Sequence, residues 1–257
     1  MIFNLIILFI VGTIFGSFLS VLIYRIHSDK KGIFFGRSQC PACKKKLSFC
    51  DLIPLFSYLG SLGRCRHCKK PIGVWYFILE MVCGLILAGL YLKFPFSEMQ
   101  STLIYIYYAV ISLSLIGIFF FDLKYMEIPE LFTIPVMVLI LIASIFLPTP
   151  GILNMAIGGA AAGIFFGFQV VASKEQWMGA GDTQVGIILG MLFGWQYLIM
   201  CLLIAYLFGS LISILLLVGG KVTGKTRIPF APFLVTAGFI VIFFGDSIYK
   251  LYESTLL

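Results

Sequence analysis

Apolar runs, each about the 20 residues that carry an α-helix through a bilayer, recur along this 257-residue chain from Met1 onwards. Hydrocarbon offers no water to satisfy backbone N–H and C=O groups, so such a run folds as a helix or joins a closed barrel. Barrel strands alternate apolar and polar residues, whereas these runs are continuously apolar. Composition agrees with helices in lipid: 61% of residues are hydrophobic and 11% charged, against about a quarter charged in a soluble domain. The expected fold is an all-α polytopic membrane protein of about eight transmembrane helices with one cytosolic loop. The runs and their breaks put the helices near 2–24, 75–94, 103–121, 131–147, 152–172, 183–194, 197–218 and 229–249, the apolar stretch from Thr183 to Gly220 being split at Gly194-Trp195-Gln196. The first run has no basic residues before it and no small-residue cleavage site after it, so it is expected to be a span and not a cleaved signal peptide.

Charge is placed very unevenly. Of 18 Lys and Arg residues, eleven lie between Arg25 and Gly73 with only two acids, Asp29 and Asp51. That segment therefore carries +9 in a chain of net +7. Beside a membrane span, such a loop is expected to stay cytosolic against anionic head groups, and no nucleic-acid partner is expected. Placing it inside puts the N-terminus outside. Lys124, Lys174, Lys221, Lys225 and Arg227 then also fall inside, and only Lys93 and Lys250 fall outside. The expected organisation is a first transmembrane helix at 1–24, a cytosolic loop at 25–73 and a transmembrane bundle at 74–257.

Four of the seven cysteines are patterned as Cys40-Pro41-Ala42-Cys43 and Cys65-Arg66-His67-Cys68. Two paired thiolates on tight turns can close a tetrahedron around Zn²⁺. A thioredoxin-like redox site would carry one such pair on a βαβ scaffold, and disulfides are disfavoured in a reducing cytosol. With four protein ligands the zinc has no open position, so its expected role is structural. His67 is expected to be a bystander, Cys50 has no paired neighbour, and Cys83 and Cys201 read as small buried hydrophobes within spans.

Only two histidines occur, His27 and His67, both in the loop. That excludes an HExxH metalloprotease and a Ser-His site within the bundle. Acids remain. An ionised carboxylate at a helix centre in lipid costs about 2.5–3.5 kcal/mol, so an acid at the edge of a span calls for a reason. Asp122 ends the run Phe119-Phe120-Phe121, and Asp182 closes Gly179-Ala180-Gly181-Asp182 before another run. Two expected spans separate them, so both lie on one face of the membrane. Brought together, two carboxylates do not both ionise easily. One can take a proton from an attacking water while the other polarises a peptide carbonyl and protonates the leaving amine. Alternatively each caps a helix end: Asp182 suits an N-cap, whereas Asp122 at a helix C-terminus opposes the dipole.

In this order the residues resemble the type IV prepilin peptidase family, integral-membrane aspartic proteases of the GxGD kind. The resemblance runs through Gly16-Ser17-Phe18-Leu19-Ser20, the two cysteine pairs, Asp51-Leu52-Ile53-Pro54-Leu55, Asp122 with Ile128-Pro129, Gly179–Asp182, and Arg227-Ile228-Pro229-Phe230-Ala231-Pro232-Phe233. It implies a catalytic pair at Asp122 and Asp182 that cleaves the short basic leader of type IV prepilins or pseudopilins at the cytosolic face of the bacterial inner membrane. It also implies zinc on Cys40, Cys43, Cys65 and Cys68, and methylation of the new N-terminus with S-adenosylmethionine. Ser20 stands where the family typically has Asn, Gln184 where it has Lys, Glu130 where it has Asp or Asn, and Trp75 where it has Arg. Glu80 matches a family Glu inside the second span, a candidate for the methyl-transfer site or for a hydrogen bond within the bundle. Rival expectations are a peptidase without methyl transfer, a transporter whose intramembrane acids relay ions, and an assembly protein that docks a partner through its zinc loop.

Overall fold

The computed structural model describes residues 1–28, 36, 38–40, 42–147, 150–176, 178–223 and 226–256. Asp29, Lys30, Lys31, Arg37 and Lys225, which enter the charge argument, and Pro41 of the first cysteine pair lie outside them. Helices dominate, and the chain divides into two compact units, Met1–Phe120 and Phe121–Leu257. Among the described residues six helices are long and apolar enough to cross a membrane, and a seventh apolar helix is shorter.

The first unit holds α1 (Ile2–His27), the loop with its short α2 (Phe56–Gly60), α3 (Val74–Lys93) and most of α4 (Met99–Tyr125). α1 and α3 run antiparallel in close contact. A Cβ on Gly12 would stand 2.6 Å from the Cys83 carbonyl oxygen, and one on Gly16 would stand 2.7 Å from the Glu80 Cα. Small residues let helix backbones approach in lipid, where apolar burial between helices offers no driving force. Polar pins complete the packing: Asn4 Nδ2 on α1 donates to Tyr91 Oη on α3 at 2.8 Å, and Tyr105 Oη on α4 donates to the Leu87 carbonyl on α3 at 3.2 Å.

The second unit holds the end of α4, then α5 (Glu130–Phe146), α6 (Ile152–Ser173), α7 (Ala180–Val218) and α8 (Ala231–Leu256). At a rise of 1.5 Å per residue, the 39 residues of α7 would reach about 58 Å if straight, nearly twice the ~30 Å hydrocarbon core. They are not straight. Gly194 is non-helical inside α7, with φ 72° and ψ 176°, a conformation that glycine enters without a Cβ penalty. Neighbours show which way the chain turns. Passing along α6, Gly158 meets Gly190 and Phe166 meets Gly186, while Asn154 accepts from the Trp195 N–H and Gln169 accepts from Tyr206 Oη. One arm of α7 is thus met in descending order and the other in ascending order. α8 repeats the pattern, with Gly238 against Leu189, Asp246 on Tyr197 and Phe233 against Gly209.

Residues 180–193 and 195–218 are therefore two antiparallel arms folded at Gly194. The eight expected helical segments are all present, two of them joined without an intervening loop. Several ends differ from expectation. α1 continues to His27, α4 continues past Asp122 to Tyr125, and α7 begins at Ala180 and so takes Asp182 into its first turn.

Candidate functional site

The cysteine loop contains two copies of one small turn. Gln39 bridges Lys46, and Arg64 bridges Pro71. In the first copy Cys40 N–H donates to the Lys45 carbonyl and Lys44 N–H to the Cys40 carbonyl; in the second Cys65 N–H donates to the Lys70 carbonyl and Lys69 N–H to the Cys65 carbonyl. Lys44 and Lys69 occupy matching left-handed conformations, φ 59° and 58°. The four Sγ atoms of Cys40, Cys43, Cys65 and Cys68 all lie within 4.8 Å of one another. Cys40 and Cys68 are 3.9 Å apart, against about 3.8 Å between sulfurs on a tetrahedral zinc with 2.3 Å bonds. Backbone N–H groups of Cys68 and His67 aimed at the Cys65 sulfur lower its thiol to about 7, favouring the thiolate that binds metal. The donor set fits a four-coordinate metal ion. Cys50 is exposed and joins no such cluster among the described residues.

Above α1 and α3 the same unit holds a partly open cavity of about 460 Å³. Glu80 lies at its base, buried, with Oε2 accepting the Leu55 N–H at 2.8 Å and with Ser17 bonded to the same carboxylate. Leu55 holds φ 61°, an unusual conformation for a side chain of its size. Ser20, where the family has Asn, is buried and donates to the Ser17 carbonyl at 2.7 Å. Trp75 packs over Gly73, where a Cβ would stand 2.7 Å from the indole.

In the second unit three helix ends converge. Asp122 lies one turn before the end of α4 and is 5% exposed. Asp182 sits in the first turn of α7, where the Gly179 N–H donates to its Oδ2 at 3.1 Å. The capping reading of Asp182 therefore accounts for one of its oxygens. It leaves the others: Asp182 Oδ1 and Asp122 Oδ2 are buried without a hydrogen-bond partner. A single group, the Ala231 N–H at the start of α8, faces both carboxylates, which lie within electrostatic reach of each other. The structure thus brings together two acids 60 positions apart in the chain. Buried unpaired polar atoms cost about 1–3 kcal/mol each, and two of them on facing acids single this place out as a candidate site.

The neighbouring motif residues have local reasons. Gly181 admits Ile128, whose Cβ would lie 2.8 Å from an added methyl, so the start of α7 closes onto the Ile128-Pro129 turn. Gln184, in place of Lys, accepts from Thr133 Oγ1 at 2.6 Å, forming a neutral link to α5. Two further groups were not expected from the sequence. One is the Ala231 N–H, left free because a helix's first N–H groups have no partner within the helix; its signal is Ala231 between Pro229 and Pro232, which bring no N–H of their own. The other is Tyr206, within electrostatic reach of Asp182 and hydrogen-bonded to Gln169 at 3.2 Å; nothing in its surrounding sequence singles it out.

Two facing acids at helix ends of an apolar bundle are the candidate site of the second unit. Family models locate it further. Residues 10–94 match the bacterial peptidase A24 N-terminal domain and residues 109–214 match the type IV leader peptidase family. The chain belongs to that family. It is 28% identical to a prepilin leader peptidase/N-methyltransferase of Stutzerimonas stutzeri, over 93% of this chain and 90% of the relative. It is 28% identical to the protein of that name from Pseudomonas aeruginosa (95% and 91% covered) and 29% identical to the one from Aeromonas hydrophila (99% and 95%). No solved structure matches the chain.

Proposed function

We propose that this protein is an aspartic endopeptidase that removes the basic leader of type IV prepilin-like proteins, with Asp122 and Asp182 as its catalytic pair. The observation that carries the reading is the pair of unpartnered carboxylate oxygens beside one shared backbone donor. The two acids share one proton. The ionised carboxylate takes a proton from water as the water oxygen attacks the scissile carbonyl carbon. The protonated one donates a hydrogen bond to the carbonyl oxygen, then passes its proton to the amine nitrogen as the C–N bond breaks. The Ala231 N–H and the first turn of α7 hold negative charge on the pair in place. The charge asymmetry of the loops supports a site at the cytosolic face and an N-terminus outside.

Cys40, Cys43, Cys65 and Cys68 would hold a zinc ion whose filled coordination organises the loop. The N-methyltransferase half of the relatives' name extends the reading to methylation of the newly exposed amine, for which S-adenosylmethionine supplies an electrophilic methyl group. The test is incubation of the purified protein with a prepilin and S-adenosylmethionine, followed by mass spectrometry. The expected product lacks its leader and carries one added methyl group. An intact prepilin after prolonged incubation contradicts the peptidase; a cleaved but unmethylated product leaves the peptidase alone.

A further inference from the structure

The two facing carboxylates account for hydrolysis but offer nothing to hold a nucleoside. In the first unit, aromatic, acidic and basic side chains line one cavity. We propose that the cavity between the last turns of α1, the cysteine loop and the first turns of α3 binds S-adenosylmethionine, on a base of Glu80, with Tyr58, Phe77, Asp51 and Arg64 around it. This rests on the methyl-transfer part of the function proposed above and gives it a site.

Size comes first. Pockets that enclose small molecules run about 300–1,000 Å³, and this one is about 460 Å³, enough for one nucleoside with an amino-acid tail. Chemistry follows the three parts of that molecule. Tyr58 and Phe77 line the cavity with ring centroids 5.4 Å apart and planes tilted by 36°, an apolar wall for adenine. Arg64 offers a guanidinium to the amino-acid carboxylate. Glu80 and Asp51 offer carboxylates to the ribose hydroxyls and the sulfonium cation.

Glu80 is held in place from two sides. Its Oε2 takes the Leu55 N–H, and Ser17 bonds to the same carboxylate. Gly16 brings the α1 backbone against the Glu80 Cα, where a Cβ would stand at 2.7 Å. A buried acid fixed in this way at the base of a cavity is a preorganised partner for a cationic ligand. The loop's part is also explained: Cys40 and Cys65 border the cavity, so a metal on the four cysteines would fix the wall that carries Asp51 and Arg64.

The test uses the full-length protein in lipid nanodiscs. [Methyl-³H]S-adenosylmethionine is cross-linked by ultraviolet light and the labelled peptide is mapped. The expected label lies within residues 51–80 and is suppressed by excess S-adenosylhomocysteine. No saturable binding, or a label confined to residues 121–257, overturns the proposal. The mapping needs no variant and so does not depend on one folding. Glu80→Gln keeps an oxygen for the Leu55 N–H but removes the charge. It is expected to weaken S-adenosylmethionine binding about tenfold while S-adenosylhomocysteine, which lacks the sulfonium charge, changes less than twofold; equal loss of both overturns the role of Glu80. Leader cleavage measured without any methyl donor reads the peptidase separately, so either reading can fail while the other stands.

Discussion

Four sulfurs in the first unit are gathered by turns that each span only eight residues, whereas the two acids in the second are gathered by the ends of α4, α7 and α8. The cysteine turns are closed by their own backbone hydrogen bonds and repeat almost bond for bond. The acid pair has no such local scaffold. Asp122 and Asp182 meet because α5 and α6 return the chain to the level from which it left, Gly181 admits Ile128, and α8 delivers the Ala231 N–H. A metal site made of local turns needs its ion to complete it; an acid pair made of helix ends needs the whole bundle. The two regions should therefore fail in different ways.

The largest effect is expected in the second region. Asp182→Asn keeps the size of the side chain and an oxygen for the Gly179 N–H but removes the acid, and kcat/KM for prepilin cleavage should fall by about 10⁴-fold or more. Unchanged unfolding temperature alongside that loss would separate chemistry from stability. In the first region, chelation or Cys65→Ser should remove bound zinc, read as metal content per chain. The loop between Ser38 and Pro71 should then become open to limited proteolysis, because structural zinc contributes about 10–16 kcal/mol in small zinc peptides. A zinc-free loop that stays protected would erase the contrast between the two regions.

A third change targets the packing that serves the acids. Gly190 lies against the Gly158 backbone so closely that any Cβ must displace it. Gly190→Ala should cost about 1–3 kcal/mol, as overpacking does. Gly167→Ala, at a position with nothing within 4 Å of an added methyl, should stay within about 0.5 kcal/mol of the parent. Thermal unfolding of both compares them directly.

The smallest effect belongs to the loop surface. Ser48, through its hydroxyl, holds the Asp51 carboxyl below its ordinary value, with help from its backbone N–H and from Arg66, whose Nε lies 3.2 Å from Asp51. A lowered carboxyl stabilises the fold above the ordinary carboxylate range near pH 4, and the gain is lost as pH falls through the lowered value. With Arg66 about half exposed, the contribution should stay below about 1 kcal/mol. Asp51→Asn should flatten the loop's stability between pH 5 and 2, as followed by urea titration.

The sequence carried these features to different depths. CxxC spacing is local, so all four sulfurs were legible, although the repeat of the turn was not: it lives in backbone bonds and in two lysines at positive φ. The span count was legible because lipid forces continuous apolar runs, and Gly194-Trp195-Gln196 read as a break because glycine interrupts a helix. That the break is a hairpin, with Asn154 bonded to the Trp195 N–H, depends on α6 and could not be read from the arm itself. Span parity allowed Asp122 and Asp182 to share a face without bringing them together. The convergence needs packing partners far away in the chain, and its third member is a backbone N–H, which leaves no side chain to notice. Glu80 read as either a site or a structural acid, and its bond to Leu55 makes it structural at least in part.

The central claim is that Asp122 and Asp182 act as one unit, and a double-mutant cycle tests it most directly. Cleavage rates of one prepilin would be compared for the parent, Asp122→Asn, Asp182→Asn and the double variant, each verified as folded by thermal unfolding. A pair sharing one proton loses its function when either member goes, so the double variant should be no slower than the slower single variant. Losses that multiply, or either single variant cleaving at the parent rate, would contradict the account.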